Sequence, residues 1–485
     1  MTRSRTAAVR PHRLSDPAFA ALGAGRPDAE TVAELRRAQF SRHLLLLREI
    51  RAAAPGASWS LLVAAERDDR DRVRAAIARP LTGVWAARCL TALRAGKLPE
   101  EAGVGYLEDL AAPPAGPVPR RLVADHDGLT ISVRLEDRHP LRAQLGLTPA
   151  DPLTDAEAAR WQELFTDAWQ LLTRVVRPQA EVLAQVLDCI VPVRPDPSAR
   201  GISATSADAF GAVAMSEPAD AAALAVGLLH ETQHSLLNAV HYLFDLHREP
   251  DALGYSPWRD DPRPVSGILH GAYAYLGVTR FWRARPGDPM AAFEYARWRS
   301  AVADATDDLL RRGGLTPAGT RFVASLHAEV RPWLDEPVDP AVARLAAGAN
   351  TDHHVRWRLR NRHVEPADAR ALAEAWRRGA PPPRVTSELR RAPRRALEAS
   401  ARLDLTHALL RGEVVDGSAG DLAYLRGDEE AAVRAYRERV IADPRDHAAW
   451  AGLALGGAPE VVAAAYQALD DPETDPITFA AWVSS

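Results

Sequence analysis

Five consecutive residues, His230-Glu231-Thr232-Gln233-His234, carry the strongest chemical signal in the sequence. Four residues turn a helix by about 400°, so the two imidazoles would project from one face about one turn apart. Neutral imidazole is a common transition-metal ligand, and such a pair can share one divalent cation at about 2.0–2.1 Å. At the chain's own His and Glu frequencies, an HExxH pattern arises by chance roughly 0.03 times in a sequence of this length. Coincidence is therefore a poor account. The bland alternative is an amphipathic core helix with two hydrogen-bonded histidines. Glu231, between them, is the candidate catalytic carboxylate.

Two ligands are too few, so the third decides the class. The metzincin pattern wants Gly and His where this chain has Leu237 and Val240, and that reading fails. His241 lies two turns beyond His234, about 10.5 Å along a continuous helix, too far to reach the same ion. Glu249 precedes Pro250 in a helix-ending context and Glu294 is far downstream, so neither is a strong thermolysin-type ligand. His270 is the better candidate, near the start of the next apolar-periodic stretch and flanked by Gly267 and Gly271. An antiparallel return through residues 250–264 would carry it over the first pair. A satisfied core or surface histidine is the alternative for His270, and Asp245 and Asp251 are reserve carboxylates.

The loop before His270 reads Tyr255-Ser-Pro-Trp-Arg-Asp-Asp-Pro-Arg-Pro264. Arg259 and Arg263, braced by prolines, can form a bidentate clamp on a ligand carboxylate. They can equally pair with Asp260, Asp261 or a carboxylate on a helix. The residues leave both readings open.

Elements that position these groups follow from pattern. Ala221 to Val240 has no proline and strong helix propensity, so a helix is expected over about 220–247, with another over 265–283. Leu122 to Leu135 reads as a hairpin turning at Asp127-Gly128, a favoured type I′ pair. Two β-rich runs, 186–193 and 209–216, precede the HExxH helix, and the second is expected as an edge strand. Residues 29–98 and nearly everything after Pro289 read as helical. Gly427 to Leu453 resembles a single tetratricopeptide unit, which cannot bury its apolar face alone and should pack on preceding helices. The expected fold is α+β, mostly helical, with a small central sheet beside the HExxH helix. Its expected regions are a helical 1–118, an α+β metal-binding core at 119–345, a helical 346–420, and the repeat-like 421–485.

Composition narrows the class. Of 485 residues 47% are hydrophobic and 26% charged, which suits a globular chain with a real core. Sixty Lys plus Arg stand against 64 Asp plus Glu, a net charge of −4, so the global basic excess of a nucleic-acid binder is lacking. Two cysteines, Cys89 and Cys189, cannot make a disulfide framework. The basic amino terminus has no apolar signal core, and no apolar run approaches a membrane span. A cytoplasmic protein without membrane or nucleic-acid partners is expected.

An ordered set of segments adds a resemblance. They are His12-Arg-Leu-Ser15, Leu44-Leu-Leu-Leu-Arg48, Ser206 through Met215-Ser216, the HExxH helix and Pro257-Trp-Arg-Asp-Asp-Pro-Arg-Pro264. Gly267-Ile-Leu-His-Gly-Ala-Tyr273, Phe293-Glu-Tyr-Ala-Arg-Trp-Arg299 and Asp352-His-His-Val-Arg-Trp-Arg-Leu-Arg360 complete it. Together they make the chain resemble the HExxH-motif peptide-modification proteins, the 2-oxoglutarate-dependent peptide β-hydroxylases of ribosomal peptide biosynthesis. The resemblance spans most of the chain. It implies iron(II), 2-oxoglutarate and dioxygen, and a ribosomally synthesised precursor peptide hydroxylated at a side-chain β-carbon. Other maturation enzymes of the same cluster are implied partners.

On that resemblance His230 and His234 are iron ligands, and Arg263 or Arg259 holds the distal carboxylate of 2-oxoglutarate. An oxygenase needs three protein ligands on one face, leaving positions for the 2-oxo acid and dioxygen. His230, His234 and His270 would make an all-histidine set instead of the commoner two His and a carboxylate. Two other classes compete. A zinc metallopeptidase would use Glu231 as general base on zinc-bound water. A non-catalytic peptide-binding maturation subunit would present the precursor to another enzyme.

Overall fold

The computed structural model describes residues 11–113, 119–196, 201–248, 252–390 and 400–485. Within them the protein is α+β and mostly helical, with one five-stranded mixed sheet. The chain forms two compact units from interleaved segments. One is Met1–Leu246 with Tyr273–Phe281 and Thr316–Leu326; the other is His247–Ala272 with Trp282–Leu315 and His327–Ser485.

The first unit begins with α1 (Asp16–Gly23), α2 (Ala29–Ala53), α3 (Ala57–Asp68), α4 (Arg70–Ala78), α5 (Pro80–Arg94) and α6 (Tyr106–Ala111). The hairpin β1 (Arg120–His126) and β2 (Leu129–Leu135) follows. Its turn places Asp127 at φ 50° and Gly128 at φ 71°, the two positive values that a type I′ turn demands. Then come α7 (Asp155–Val175), α8 (Arg177–Val186), β3 (Cys189–Pro192), β4 (Ser203–Ala204), β5 (Ala212–Met215) and α9 (Ala221–Leu243). The sheet order is β1-β2-β3-β5-β4. β1 and β2 are antiparallel, β2–β3 and β3–β5 parallel, and β4 antiparallel to β5.

The expectation of an edge strand at 209–216 is corrected here. β5 lies between β3 and β4, and every residue of β3 and β5 is buried. Parallel strands covered on both faces read as unbroken apolar runs, and such a run carries no mark of its place in the sheet. The edge is β4. Cys189, Val191, Ala212 and Ala214 join the core of the amino-terminal helices, so the alternate residues Ile190, Val213 and Met215 face the other side. There a Cβ on Gly227 of α9 would come 3.0 Å from Met215. One face of the sheet thus packs on the amino-terminal helices and the other meets α9, which α2 also touches where Arg42 lies over the Tyr242 ring.

α7 packs on β1 and α9. A capping box of Thr154 and Glu157 starts it, and Trp161, Phe165, Trp169 and Leu172 form its buried stripe. Full burial of a residue such as Phe165 or Leu172 contributes about 1.5–3 kcal/mol.

Helix α10 (Val265–Arg283) contributes residues 265–272 and 282–283 to the second unit and 273–281 to the first. The second unit also contains α11 (Pro289–Arg312), α13 (Pro340–Asn361), β6 (Arg362–His363), α14 (Pro366–Arg377) and β7 (Glu388–Leu389). α12 (Pro317–Val330) is divided between the units. α15 (Ala401–Leu410), α16 (Ala419–Arg426), α17 (Glu429–Ala442), α18 (His447–Leu453), α19 (Pro459–Leu469) and α20 (Pro476–Val483) complete it. The repeat-like segment Gly427–Leu453 forms α17 and α18. Its Tyr436 and Trp450 share a core with Leu372 of α14 and with Tyr466 and Phe479 of the last two helices. Gly420 and Gly452 lie against the Tyr436 ring, whose hydroxyl donates to Asp421 at 2.6 Å. A side chain at either glycine would displace that ring.

Among the described residues no helix is long and apolar enough to cross a membrane. Both cysteines are free and buried. Burial pushes the Cys89 thiol up to about 11 and raises Cys189 as well, so neither is a thiolate near neutral pH.

Candidate metal centre

The HExxH residues lie in the middle of α9, which the Asp220 side chain caps by accepting from Ala223 N at 2.8 Å. The helix is continuous through the motif and ends at Leu243, a turn short of the expected 247 because Phe244 is extended. Leu224, Leu228, Leu229, Leu236 and Leu237 are buried around it, whereas His230 and His234 are half-buried. Their Nε2 atoms stand 3.1 Å apart, with the rings at 84°.

That separation admits two descriptions: a His–His hydrogen bond, or two lone pairs converging on one cation. Nitrogens 3.1 Å apart, each about 2.0–2.1 Å from a shared ion, subtend about 95–100° at it. Both tetrahedral and octahedral ions accept such an angle. Burial lowers the pKa of His230 more than neighbouring Glu231 raises it, which keeps the ring neutral and its lone pair available.

Glu231 is buried at 2% exposure. Its Oε1 accepts from Ser203 Oγ at 2.6 Å, while Oε2 is buried with no hydrogen-bond partner among the described residues. A buried carboxylate oxygen without a partner carries a desolvation cost that a cation, a bound water or a substrate N–H would remove. Two converging imidazoles offer two ligands to a divalent metal, and the unpartnered oxygen of Glu231 can accept from a bound water or substrate N–H.

Two residues at this centre were not singled out by the sequence. Ser203 opens β4, and the carbonyl of the preceding Ile202 accepts from Ser216 N at 2.9 Å. Alternation along an antiparallel strand then turns the N–H and C=O of Ser203 toward the free edge. Tyr275 of α10 meets His230 edge-on, ring centroids 5.4 Å apart. Its helix is drawn close to α9 in the first unit because Gly277 has no side chain. A Cβ there would fall 2.9 Å from Gln233 Cγ, and Gln233 Nε2 donates to Tyr273 O at 3.3 Å. The closely spaced Gly271, Gly277 and tyrosines of that helix were the available sequence signal. For Ser203 there was none.

The remaining sequence candidates separate clearly. His270 is half-buried on the part of α10 that belongs to the second unit. Asp245 lies beyond the end of α9 and is exposed. Glu249 and Asp251 fall outside the described residues. Glu294 is buried and hydrogen-bonded to His407 and Trp298. Among the described residues no three His, Cys, Asp or Glu side chains form a group that could hold a metal ion.

Arg259 and Arg263 both hold Asp261, at 2.9 and 3.3 Å. Asp261 is 3% exposed, so the loop supplies its own carboxylate to its two arginines. A two-way backbone ladder between Gly254 and Arg263, at 2.8 and 2.9 Å, closes the loop. Gly267 and Gly271 let α10 lie against the Arg263 and Trp258 side chains, the close packing expected of those glycines.

No protein-family model matches this chain, and no curated protein matches it.

Proposed function

We propose that this protein is an iron(II)- and 2-oxoglutarate-dependent oxygenase that hydroxylates a side-chain β-carbon of a ribosomally made precursor peptide. One observation carries the metal part of this reading. Two imidazole nitrogens 3.1 Å apart on α9 stand beside Glu231, a buried carboxylate with one oxygen lacking a protein partner. The iron and 2-oxoglutarate part rests on the sequence resemblance. His230 and His234 are the proposed ligands. His270 is the proposed third, on sequence pattern alone.

Bound iron with its co-substrate supplies the oxidation: one oxygen atom of O₂ enters the peptide C–H bond, and the other enters succinate as CO₂ is released. The protein's own contribution is positioning. The outward N–H and C=O of Ser203 on β4 can pair with an extended peptide. That strand reaches the motif through the Ser203–Glu231 hydrogen bond. Glu231 then orients a substrate amide or bound water through Oε2. A 2-oxoglutarate carboxylate on Arg263 or Arg259 has to share the guanidinium with Asp261.

A second reading is favoured by the same Oε2. In a zinc metallopeptidase that oxygen would take the proton of a metal-bound water, and losing such help costs roughly 10²–10⁴-fold in rate. The deciding experiment incubates the protein with iron(II), 2-oxoglutarate, O₂ and any short precursor-like peptide encoded near its gene. A peptide heavier by one oxygen atom, dependent on all three additions, supports the oxygenase. Cleavage by the zinc form without O₂, lost in Glu231→Gln, overturns it in favour of the peptidase. If neither reaction occurs although the peptide binds, the presenting subunit is the correct class.

A further inference from the structure

The second unit contains a cluster of ionisable groups that the metal reading does not use. It is built from Arg297 on α11, from Asp352, His353, Arg356 and Arg360 on α13, and from Asp260 in the 254–263 loop. These include the Arg–aromatic segments 293–299 and 352–360 of the sequence. Its carboxylates are already engaged. Asp352 accepts from Ser400 Oγ at 3.0 Å and faces Arg356 at 3.5 Å and Arg402 at 3.6 Å. Asp260 faces Arg360 at 3.3 Å and His353 Nε2 at 3.4 Å. His353 Nδ1 in turn lies 2.7 Å from the Tyr255 hydroxyl. Glu294, one turn before Arg297, is taken by His407 and Trp298.

Arg297 is the exception. It is 3% exposed, yet no carboxylate among the described residues lies within ion-pair distance of it, and its Nε is buried without a hydrogen-bond partner. Its guanidinium lies 4.2 Å from the ring centroid of Trp298, a contact that offsets part of the desolvation but satisfies no N–H. It lines a cavity of about 20 Å³ together with Asp260, Asp352, His353 and Arg356. Against the effect of burial, Arg297 helps hold the Glu294 carboxyl below its usual range without touching it, so its charge is balanced only at a distance while its buried Nε–H stays unsatisfied. Nε and the terminal nitrogens form a planar fork of parallel donors.

We infer that this cavity binds a single carboxylate group, held by the fork of Arg297. The room matches one small planar head, since a water-sized sphere already needs about 10–15 Å³. The two aspartates in the wall disfavour a bulkier dianion such as phosphate. The carboxylate can come from a small free acid or from an acidic side chain of a peptide. The inference does not depend on the metal centre.

Calorimetric titration of the full-length protein with acetate, succinate and N-acetyl-glutamate amide tests it, at matched ionic strength against chloride. Wild-type protein should bind at least one of them and melt higher as its concentration rises. Arg297→Met, which removes the buried charge at similar volume, should lose that rise and melt no lower than wild type in chloride alone. Arg297→Lys, keeping the charge without the fork, should bind roughly tenfold or more weakly. Tighter binding of the capped glutamate assigns a peptide side chain, and tighter binding of acetate or succinate a free acid. An unchanged response in Arg297→Met, no carboxylate binding to wild type, or phosphate binding tighter than all three overturns the inference. Should Arg297→Met fail to fold, the wild-type titrations and Arg297→Lys still decide.

Discussion

At the scale of single residues, the histidine pair and Glu231 divide their labour by burial. Half-buried imidazoles 3.1 Å apart can both face one ion, while the 2%-exposed Glu231 is fixed from below by Ser203. Replacing His230 or His234 by Ala should therefore abolish stoichiometric metal, read by elemental analysis of the purified protein. His270→Ala should also lose metal if His270 completes the shell. Full retention of metal and activity there would redirect the search to Asp245 or Asp251. The arginine loop makes a different prediction. Arg263→Ala takes one of its two arginine partners from the buried Asp261 and leaves Arg259, which should cost about 1–3 kcal/mol of stability. A role toward 2-oxoglutarate predicts in addition a sharply higher co-substrate requirement. Measuring Tm and co-substrate Kd on one variant separates them: a fall in Tm at unchanged Kd leaves Arg263 a loop brace.

At the scale of elements, the β4 edge is where sheet geometry and chemistry meet. Proline at 203 removes the outward N–H and the hydroxyl, yet breaks no ladder bond to β5, because that N–H points away from it. Ser203→Ala removes the hydroxyl alone. If an extended peptide pairs with β4, Ser203→Pro should raise KM for the peptide well beyond Ser203→Ala, with similar Tm values for the two variants. Equal KM values would dismiss the edge as a docking strand. How far these elements were legible is instructive. The HExxH helix, the helix after it and the Asp127-Gly128 hairpin were readable because their determinants are local: periodicity, propensity and a turn pair. Strand order was not. β5 is internal because β4, two residues long, pairs outside it, and no periodicity within 209–216 records that partner. The same holds for Ser203, which meets Glu231 across 28 residues, and for Tyr255, which meets His353 across 98. The two arginines were readable as a carboxylate clamp, but which carboxylate they hold depends on the folded loop.

At the scale of the whole molecule, the distribution of buried histidines sets how stability responds to acid. His43 of α2 is 2% exposed, with Nδ1 2.8 Å from the Ile77 carbonyl and Gly83 of α5 against its ring. Burial pushes its pKa down to about 4, only partly opposed by that hydrogen bond. Burial also holds His139 below its ordinary value. Each such ring binds a proton in the unfolded chain at a pH where the folded chain does not. Stability then rises with pH between the folded value and about 6.5, and falls on acidification through that window. One proton corresponds to about 1.4 kcal/mol per pH unit, so His43 alone withdraws about 3 kcal/mol by pH 4. The loss begins near pH 6.5, above the range in which carboxylates titrate. His43→Gln can keep a side-chain N–H donor to Ile77 O without a titrating ring. In urea titrations from pH 4.5 to 6, its unfolding free energy should depend on pH less steeply than that of wild type, by up to about 1.4 kcal/mol per unit. An identical slope in the two proteins would mean that the folded protein already accepts the proton at His43 across that range, and that the acid limb arises elsewhere.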